Sequence, residues 1–232
     1  MSYEYSEDAL IEQATEDVLK ELGWKVVTAW QNESFGEHGL LGRDNKTEVV
    51  LERFVLAALQ KLNPGLPDLA YSRAIEKLVQ READKTIAQQ NKSKYQLLKN
   101  GVEISFINNE AKSQKKTLKL FDFKEYRNND FLAVRQLEVS GELHNRRPDV
   151  IGFVNGIPLI FFELKSHAND LRSAYDDNFK DYKDTIPHLF YHNAFVILSN
   201  GTDAKIGTIT SPYKYFLDWK RITEEAEGIV SL

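Results

Sequence analysis

The sequence predicts an α/β fold in which a central sheet carries helices on its faces and a block of helices is inserted between strands. Three observations lead there. A helical pattern opens the chain and gives way to a short apolar strand, and three more helical patterns then follow one another over residues 47–98. From Val102 onward the apolar period shortens to that of strands, and two apolar runs, 150–154 and 157–162, flank Asn155-Gly156, residue types that tolerate the positive φ of a tight hairpin turn.

The first helix is expected over residues 7–22, with Ser6 as its N-cap, Leu10, Ala14, Val18 and Leu22 as its apolar stripe and Gly23 as its stop. Residues 25–30 read as a strand. The segment 31–44, with Gly36, Gly39 and Gly42 and no clean period, marks a long loop expected to be mobile. Helices are expected at 47–62, 69–79 and 86–98, with Val50, Phe54, Ala57 and Ala58 as core, and strands at 102–107, 117–123 and 130–140. After the central hairpin come a helix over 169–184 and two apolar strands, 194–199 and 205–210, about an Asn200-Gly201 turn, before an acidic tail.

Composition narrows the function. The 232 residues suit one large domain or two small ones, and 42% hydrophobic content supports a sizeable core. Without cysteine there is no disulfide scaffold, thiolate metal site or cysteine nucleophile. The N-terminus is acidic and no apolar run approaches ~18 residues, so the expectation is a soluble, cytoplasmic chain without a membrane span. A net charge of −5 argues against a freestanding, strongly DNA-binding module. The local basic clusters, Lys92, Lys94 and Lys99, then Lys112, Lys115, Lys116 and Lys119, read as a solvated helix face and a charged loop. His144, His167, His188 and His192 lack the ligand spacing of a zinc site.

The second hairpin strand ends in Glu163-Leu164-Lys165. Alternation sends Glu163 and Lys165 to one face and leaves the Leu164 carbonyl beside them. A two-residue turn would send Asp149 to the opposite face, whereas a three-residue Val154-Asn155-Gly156 loop with a G1 bulge would bring it to the Glu163 face. In that register two carboxylates and a carbonyl suit a hard cation such as Mg²⁺, with Lys165 beside it. A Glu/Asp-x-Lys triplet is a weak signal alone, since the chain holds seven, but only this one ends an apolar hairpin, where burying charge is costly without a function.

Pro148-Asp149 followed by Glu163-Leu164-Lys165 resembles the PD-(D/E)xK nuclease motif. Glu12, eleven residues before Gly23-Trp24, resembles the helix glutamate that many such nucleases aim at the metal, and Asn178 with Tyr182 resembles the QxxxY element of type I restriction enzyme R subunits (HsdR), with Asn in place of Gln. Together with the Leu-Ser-Asn-Gly turn and the helical insertion, these features are similar to the N-terminal domain of that family over nearly the whole chain. The resemblance implies a PD-(D/E)xK core, a central mixed sheet flanked by helices with a helical insertion at about 47–100, as one nuclease domain over 1–232. It also implies a Mg²⁺-dependent endonuclease acting on double-stranded DNA, with Asp149, Glu163 and Lys165 catalytic. Asp149, Glu163 and the Leu164 carbonyl would be the metal ligands, Glu12 a further candidate, and Asn178 and Tyr182 supporting residues. Attack would be in-line, leaving 5′-phosphate and 3′-hydroxyl ends. ATP would be used only by motor domains beyond residue 232, because no Gly-x-x-x-x-Gly-Lys-Ser/Thr loop occurs here. Methyltransferase and specificity subunits would be the partners. The alternatives are a freestanding nuclease of repair or junction-resolving type and an inert nuclease-like docking domain.

Overall fold

A computed structural model of the protein describes residues 7–107, 112–222 and 229–231. The expected Ser6 cap and the acidic tail lie outside the described residues, as does the Leu10 side chain. In chain order the elements are α1 (Glu7–Glu21), β1 (Lys25–Thr28), α2 (Glu52–Leu62), α3 (Asp68–Val79), α4 (Ile87–Asn100), β2 (Val102–Ile107), β3 (Ser113–Leu118) and β4 (Phe131–Arg135). The short strands β5 (Val139–Ser140) and β6 (Asn145–Arg146) precede the central hairpin, β7 (Val150–Val154) and β8 (Ile157–Leu164). A helical run follows, made of α5 (Leu171–Ser173), a π-helical stretch (Ala174–Phe179) and α6 (Lys180–Thr185), and then β9 (Phe195–Ser199), β10 (Ala204–Gly207) and β11 (Leu217–Asp218).

Seven strands form a mixed sheet in the order β1-β4-β7-β8-β9-β10-β11. β1 with β4 and β8 with β9 are parallel, and the remaining neighbours are antiparallel. One face is covered by the helical run, where Phe161 meets Phe179, Tyr182 and Phe190 at ring distances of 5.8, 5.8 and 5.1 Å. On the other face, Val150, Phe162 and Leu164 pack with Ile11 and Leu19 of α1. The helical face of α1 differs from the one expected: Ile11 and Leu19 are buried, while Ala14, Val18 and Leu22 are exposed. The alternative stripe wins because it also turns Glu12 and Glu16 toward the sheet, where both meet Arg135.

α2, α3 and the β2–β3 hairpin share a core of their own, including Val55, Leu59, Ala74, Leu78, Ile104 and Leu118. In α2 the buried residues are Val55, Ala58 and Leu59; Phe54 is half-buried and Ala57 exposed, so the expected stripe is rotated. The helix also starts late, at Glu52, because the Leu51 N–H donates to the Gly156 carbonyl at 2.8 Å, fastening this layer to the central turn. The strand expected at 117–123 lies at Ser113–Leu118 instead, and polar residues adopt it because β2 offers a full antiparallel ladder. The edge strand β11, which pairs with β10, was not anticipated.

Two polar residues anchor segments that looked solvated. The loop 31–44 is pinned by Arg43, only 1% exposed, whose guanidinium holds Glu33 in a two-pronged pair (2.5 and 2.6 Å) and donates to the carbonyls of Glu48 and Glu138 at 3.0 and 2.7 Å. Such a buried, fully engaged Arg replaces the expected mobility with a fixed path. Lys94, expected on a solvated face, is buried and donates to the carbonyls of Lys77, Leu78 and Gln80 at 3.2, 2.6 and 2.6 Å, closing the C-terminus of α3. Burial lowers its pKa from the ordinary 10.5 to about 8.

Lys94→Met, which keeps the aliphatic stem and deletes the donors, is expected to lower stability by about 2–3 kcal/mol in urea melts. Between about pH 8 and 10.5 the unfolded chain keeps a proton that folded Lys94 has lost. The wild-type advantage over the variant should therefore grow with pH across that window. A constant difference would contradict the assigned burial.

Candidate active site

The central hairpin carries the acidic motif to one end of the sheet. Val154 pairs with Ile157 directly across the turn, and Asn155 and Gly156 have φ of 51° and 79°, the pattern of a two-residue type I′ turn. The three-residue loop with a G1 bulge is not formed. A two-residue turn alone would turn Asp149 away from Glu163. A bulge inside β8 corrects this: pairing jumps from Phe153 with Pro158 to Gly152 with Ile160, leaving Leu159 as the extra residue. Its carbonyl is taken by the Ala194 N–H at 2.7 Å and the Asn193 amide at 3.2 Å. Beyond the bulge Val150 pairs with Phe162, which sets Asp149 across from Glu163.

The turn itself is buried. The Asn155 amide donates to the carbonyl of Leu120 and to Asn129 Oδ1, and its Oδ1 accepts the Asp130 N–H at 2.7 Å. A Cβ on Gly156 would stand 2.5 Å from the Leu51 carbonyl, so only glycine fits where the insertion presses on the turn.

Asp149, Glu163 and Lys165 come together in one cleft of about 510 Å³, which Glu12, Asn178 and Tyr182 also line. Asp149 Oδ2 accepts the Leu164 N–H at 2.7 Å, and Lys165 Nζ lies 3.2 Å from Glu163 Oε1. Glu163 is 1% exposed, and its Oε2 has no hydrogen-bond partner among the described residues. Burial first, and then the Asp149 charge, hold the Glu163 carboxyl well above the usual carboxylate range, against the pull of Lys165. The Tyr182 phenol is pushed up by burial and by Glu163, while a hydrogen bond with Asn178 opposes the shift. Asn178 thus touches Tyr182 from the π-helical stretch, a backbone irregularity frequent at functional sites.

Glu12 reaches the cleft from α1 with both oxygens engaged: Oε2 accepts from Arg135 at 2.9 Å and Oε1 from the Gln136 amide at 2.7 Å. Gln136 bridges onward to Asp149 Oδ1 at 3.5 Å, and its backbone N–H donates to the Asp149 carbonyl at 2.8 Å. It does so at φ 52°, breaking the strand expected over 130–140 into β4 and β5. No sequence signal marked Gln136, because a left-handed glutamine is set by tertiary contacts and not by local propensity. Trp30, Asn145, Arg147 and Asn169 also line the cleft without having been singled out.

The donor set fits a hard divalent cation: two carboxylates and the adjoining Leu164 line the cleft, with one carboxylate oxygen buried and without a hydrogen-bond partner among the described residues. Among the described residues no group of three or more His, Asp or Glu side chains stands close enough to hold an ion, so carbonyl and water would have to complete the shell. None of the four candidate histidines lines the cleft. His192 is buried against the Leu78 carbonyl at 3.0 Å, and burial lowers its pKa to about 4.

The family model described as "Type I restriction enzyme R protein N terminus" matches residues 4–215. The chain belongs to this family. It is 33% identical over 219 residues to the Type I restriction enzyme HindI endonuclease subunit of Haemophilus influenzae, covering 93% of this chain and 20% of the relative. It is 30% identical over 232 residues to the putative type I restriction enzyme MjaIXP endonuclease subunit of Methanocaldococcus jannaschii, covering 95% of this chain and 21% of the relative. The chain thus spans about a fifth of the length of these curated relatives. The mixed seven-stranded sheet flanked by helices is consistent with the PD-(D/E)xK-like nuclease fold. Among the described residues no helix is long and apolar enough to cross a membrane.

The raised Glu163 pKa has a consequence for stability without divalent metal. Above about pH 4.5 the unfolded state has lost a proton that folded Glu163 keeps, so this group's contribution is fully present below that pH and is lost as pH rises through the folded pKa. Glu163→Gln should therefore melt higher than wild type at pH 8 in chelator, with the gap closing toward pH 4.5. A variant less stable than wild type across the range would contradict the buried, undercompensated carboxylate.

Proposed function

We propose that this chain is the DNA-cleaving module of a type I restriction enzyme, hydrolysing phosphodiester bonds with Mg²⁺ held by Asp149, Glu163 and the Leu164 carbonyl. The observation that carries the reading is the buried Glu163 carboxylate with a free oxygen, facing Asp149 and touched by Lys165, in a member of the R-protein family. A buried acid pair costs stability and calls for a cation to offset it.

When bound, the cation would supply Lewis acidity toward the scissile phosphate and make a nucleophile available from water near neutral pH. The chain's own groups do the rest. The Leu164 N–H and Gln136 hold the Asp149 carboxylate at the cleft. Lys165, 22% exposed, is tethered to Glu163 Oε1 and placed to orient water and neutralise charge that develops on the phosphate. Glu12, tied to Arg135 and Gln136, acts as a support for Asp149 unless metal binding frees it. Asn178 and Tyr182 close the cleft wall beside Glu163.

The names of the relatives denote endonuclease subunits about five times this chain's length, which supports placing an ATP-driven motor in further domains. Double-stranded DNA would be delivered by that motor together with methyltransferase and specificity subunits, in the cytoplasm. With a net charge of −5 the chain would hold DNA poorly alone.

In the complete enzyme, Asp149→Ala, Glu163→Ala or Lys165→Ala should reduce DNA cleavage on the order of 10³-fold or more while ATP hydrolysis persists, because only metal-assisted phosphate chemistry is removed. Retained cleavage in any folded variant would refute the assignment. The chain alone should bind duplex DNA only in the range of ~10⁻⁴ to 10⁻⁶ M and nick a plasmid little with Mg²⁺. Robust nicking at nanomolar protein without ATP would instead favour a freestanding nuclease.

A further inference from the structure

The cleft is lined by three cations: Arg146, Arg147 and Lys165. Two are already engaged. Arg146 makes a two-pronged pair with Asp181 at 2.5 and 2.9 Å, and Lys165 is held by Glu163. Arg147 is different. Among the described residues it has no carboxylate and no carbonyl partner, although Glu12, Glu138, Asp149 and Glu163 all line the same cleft. Its guanidinium carbon instead lies over the Trp30 ring, 3.7 Å from the centroid. Trp30 is 41% exposed and follows β1, so an indole platform stands at the rim. Arg147 immediately precedes Pro148-Asp149, and the proline's fixed φ limits how far the chain can swing it away.

We propose that Arg147, stacked on Trp30, is a preformed clamp for a backbone phosphate of the DNA strand entering the cleft. Stacking takes up one face of the planar guanidinium but leaves its in-plane N–H donors free, and those donors match two phosphate oxygens. The aromatic face fixes the side chain before DNA arrives, so little rotamer freedom remains to be lost on binding. A backbone phosphate is the anion that the nuclease reading brings to this cleft, and its two non-bridging oxygens suit the guanidinium's donors. The inference rests on the nuclease reading but concerns substrate grip, a separate property from bond cleavage.

The test measures binding of a short duplex by this chain at low salt with chelator present, so that cleavage plays no part. Arg147→Gln should weaken binding about tenfold and make the slope of log K against log salt shallower by about one contact's worth, ~0.9. Arg147→Lys should keep the slope and lose part of the affinity, and Trp30→Ala should weaken binding with the slope unchanged. Arg127→Gln is the matched control, removing the same charge from another arginine stacked on an aromatic ring, Tyr126 at 4.9 Å, outside the cleft. Melting curves and circular dichroism identical to wild type identify the folded variants to be compared.

Equal losses from Arg147→Gln and Arg127→Gln would overturn the clamp in favour of undirected charge attraction. An unchanged salt slope in Arg147→Gln, or no duplex binding by the wild-type chain at the lowest salt, would also overturn it. Failure of the nuclease reading has a different signature: cleavage by the complete enzyme that survives Asp149→Ala, whatever Arg147 does.

Discussion

The pairing of two carboxylates at the end of a buried strand is the constraint to which the surrounding structure answers. Glu163 sits where water cannot compensate it and where Asp149 adds a second negative charge. Each nearby polar contact limits that cost in part. Lys165 supplies a cation to one oxygen, the Leu164 N–H and Gln136 hold Asp149, and Arg135 neutralises Glu12 and Glu16. One Glu163 oxygen is left over, and a protein that only needed stability would gain by replacing such a group with an apolar one. The cation proposed for this site would offset that cost.

Bringing those carboxylates face to face depends on one surplus residue. The tight Asn155-Gly156 turn sets a register that separates Asp149 from Glu163, and Leu159 shifts it back. The bulge is secured from the neighbouring segment, through the Ala194 N–H and the Asn193 side chain on the Leu159 carbonyl. The turn is secured from the opposite side, by Leu51, Asn129 and Asp130. The inserted helices thus reach the site mechanically, by fixing the hairpin that aims it, without placing a side chain in the cleft.

The charge distribution follows the same division. The chain is acidic as a whole, and its buried cations serve structure: Arg43 fastens a long loop and Lys94 closes a helix. At the cleft, Arg146 pairs with Asp181 and Lys165 with Glu163. Among the described residues, Arg147 alone of the cations lining the cleft rests on an aromatic ring instead, which is why the proposed phosphate contact falls to it.

The sequence by itself determined the α/β class, the central hairpin, most element positions and six of the residues that line the cleft, Glu12, Asp149, Glu163, Lys165, Asn178 and Tyr182. Apolar period, Asn-Gly and the Pro-Asp…Glu-x-Lys spacing are local signals, each readable within a few residues. The family resemblance to restriction enzyme R subunits was equally legible, since it rests on short motifs in fixed order. What sequence could not supply was anything set by competition between distant segments. The face of α1 was misread because Ala14, Val18 and Leu22 are as apolar as the stripe that packs, and only Arg135 and the sheet decide between them. The bulge at Leu159, the left-handed Gln136, the buried Lys94 and the Arg147 stack share that origin. Each places a residue against its local preference, and the partners that hold it there are fixed only when remote parts of the chain pack together.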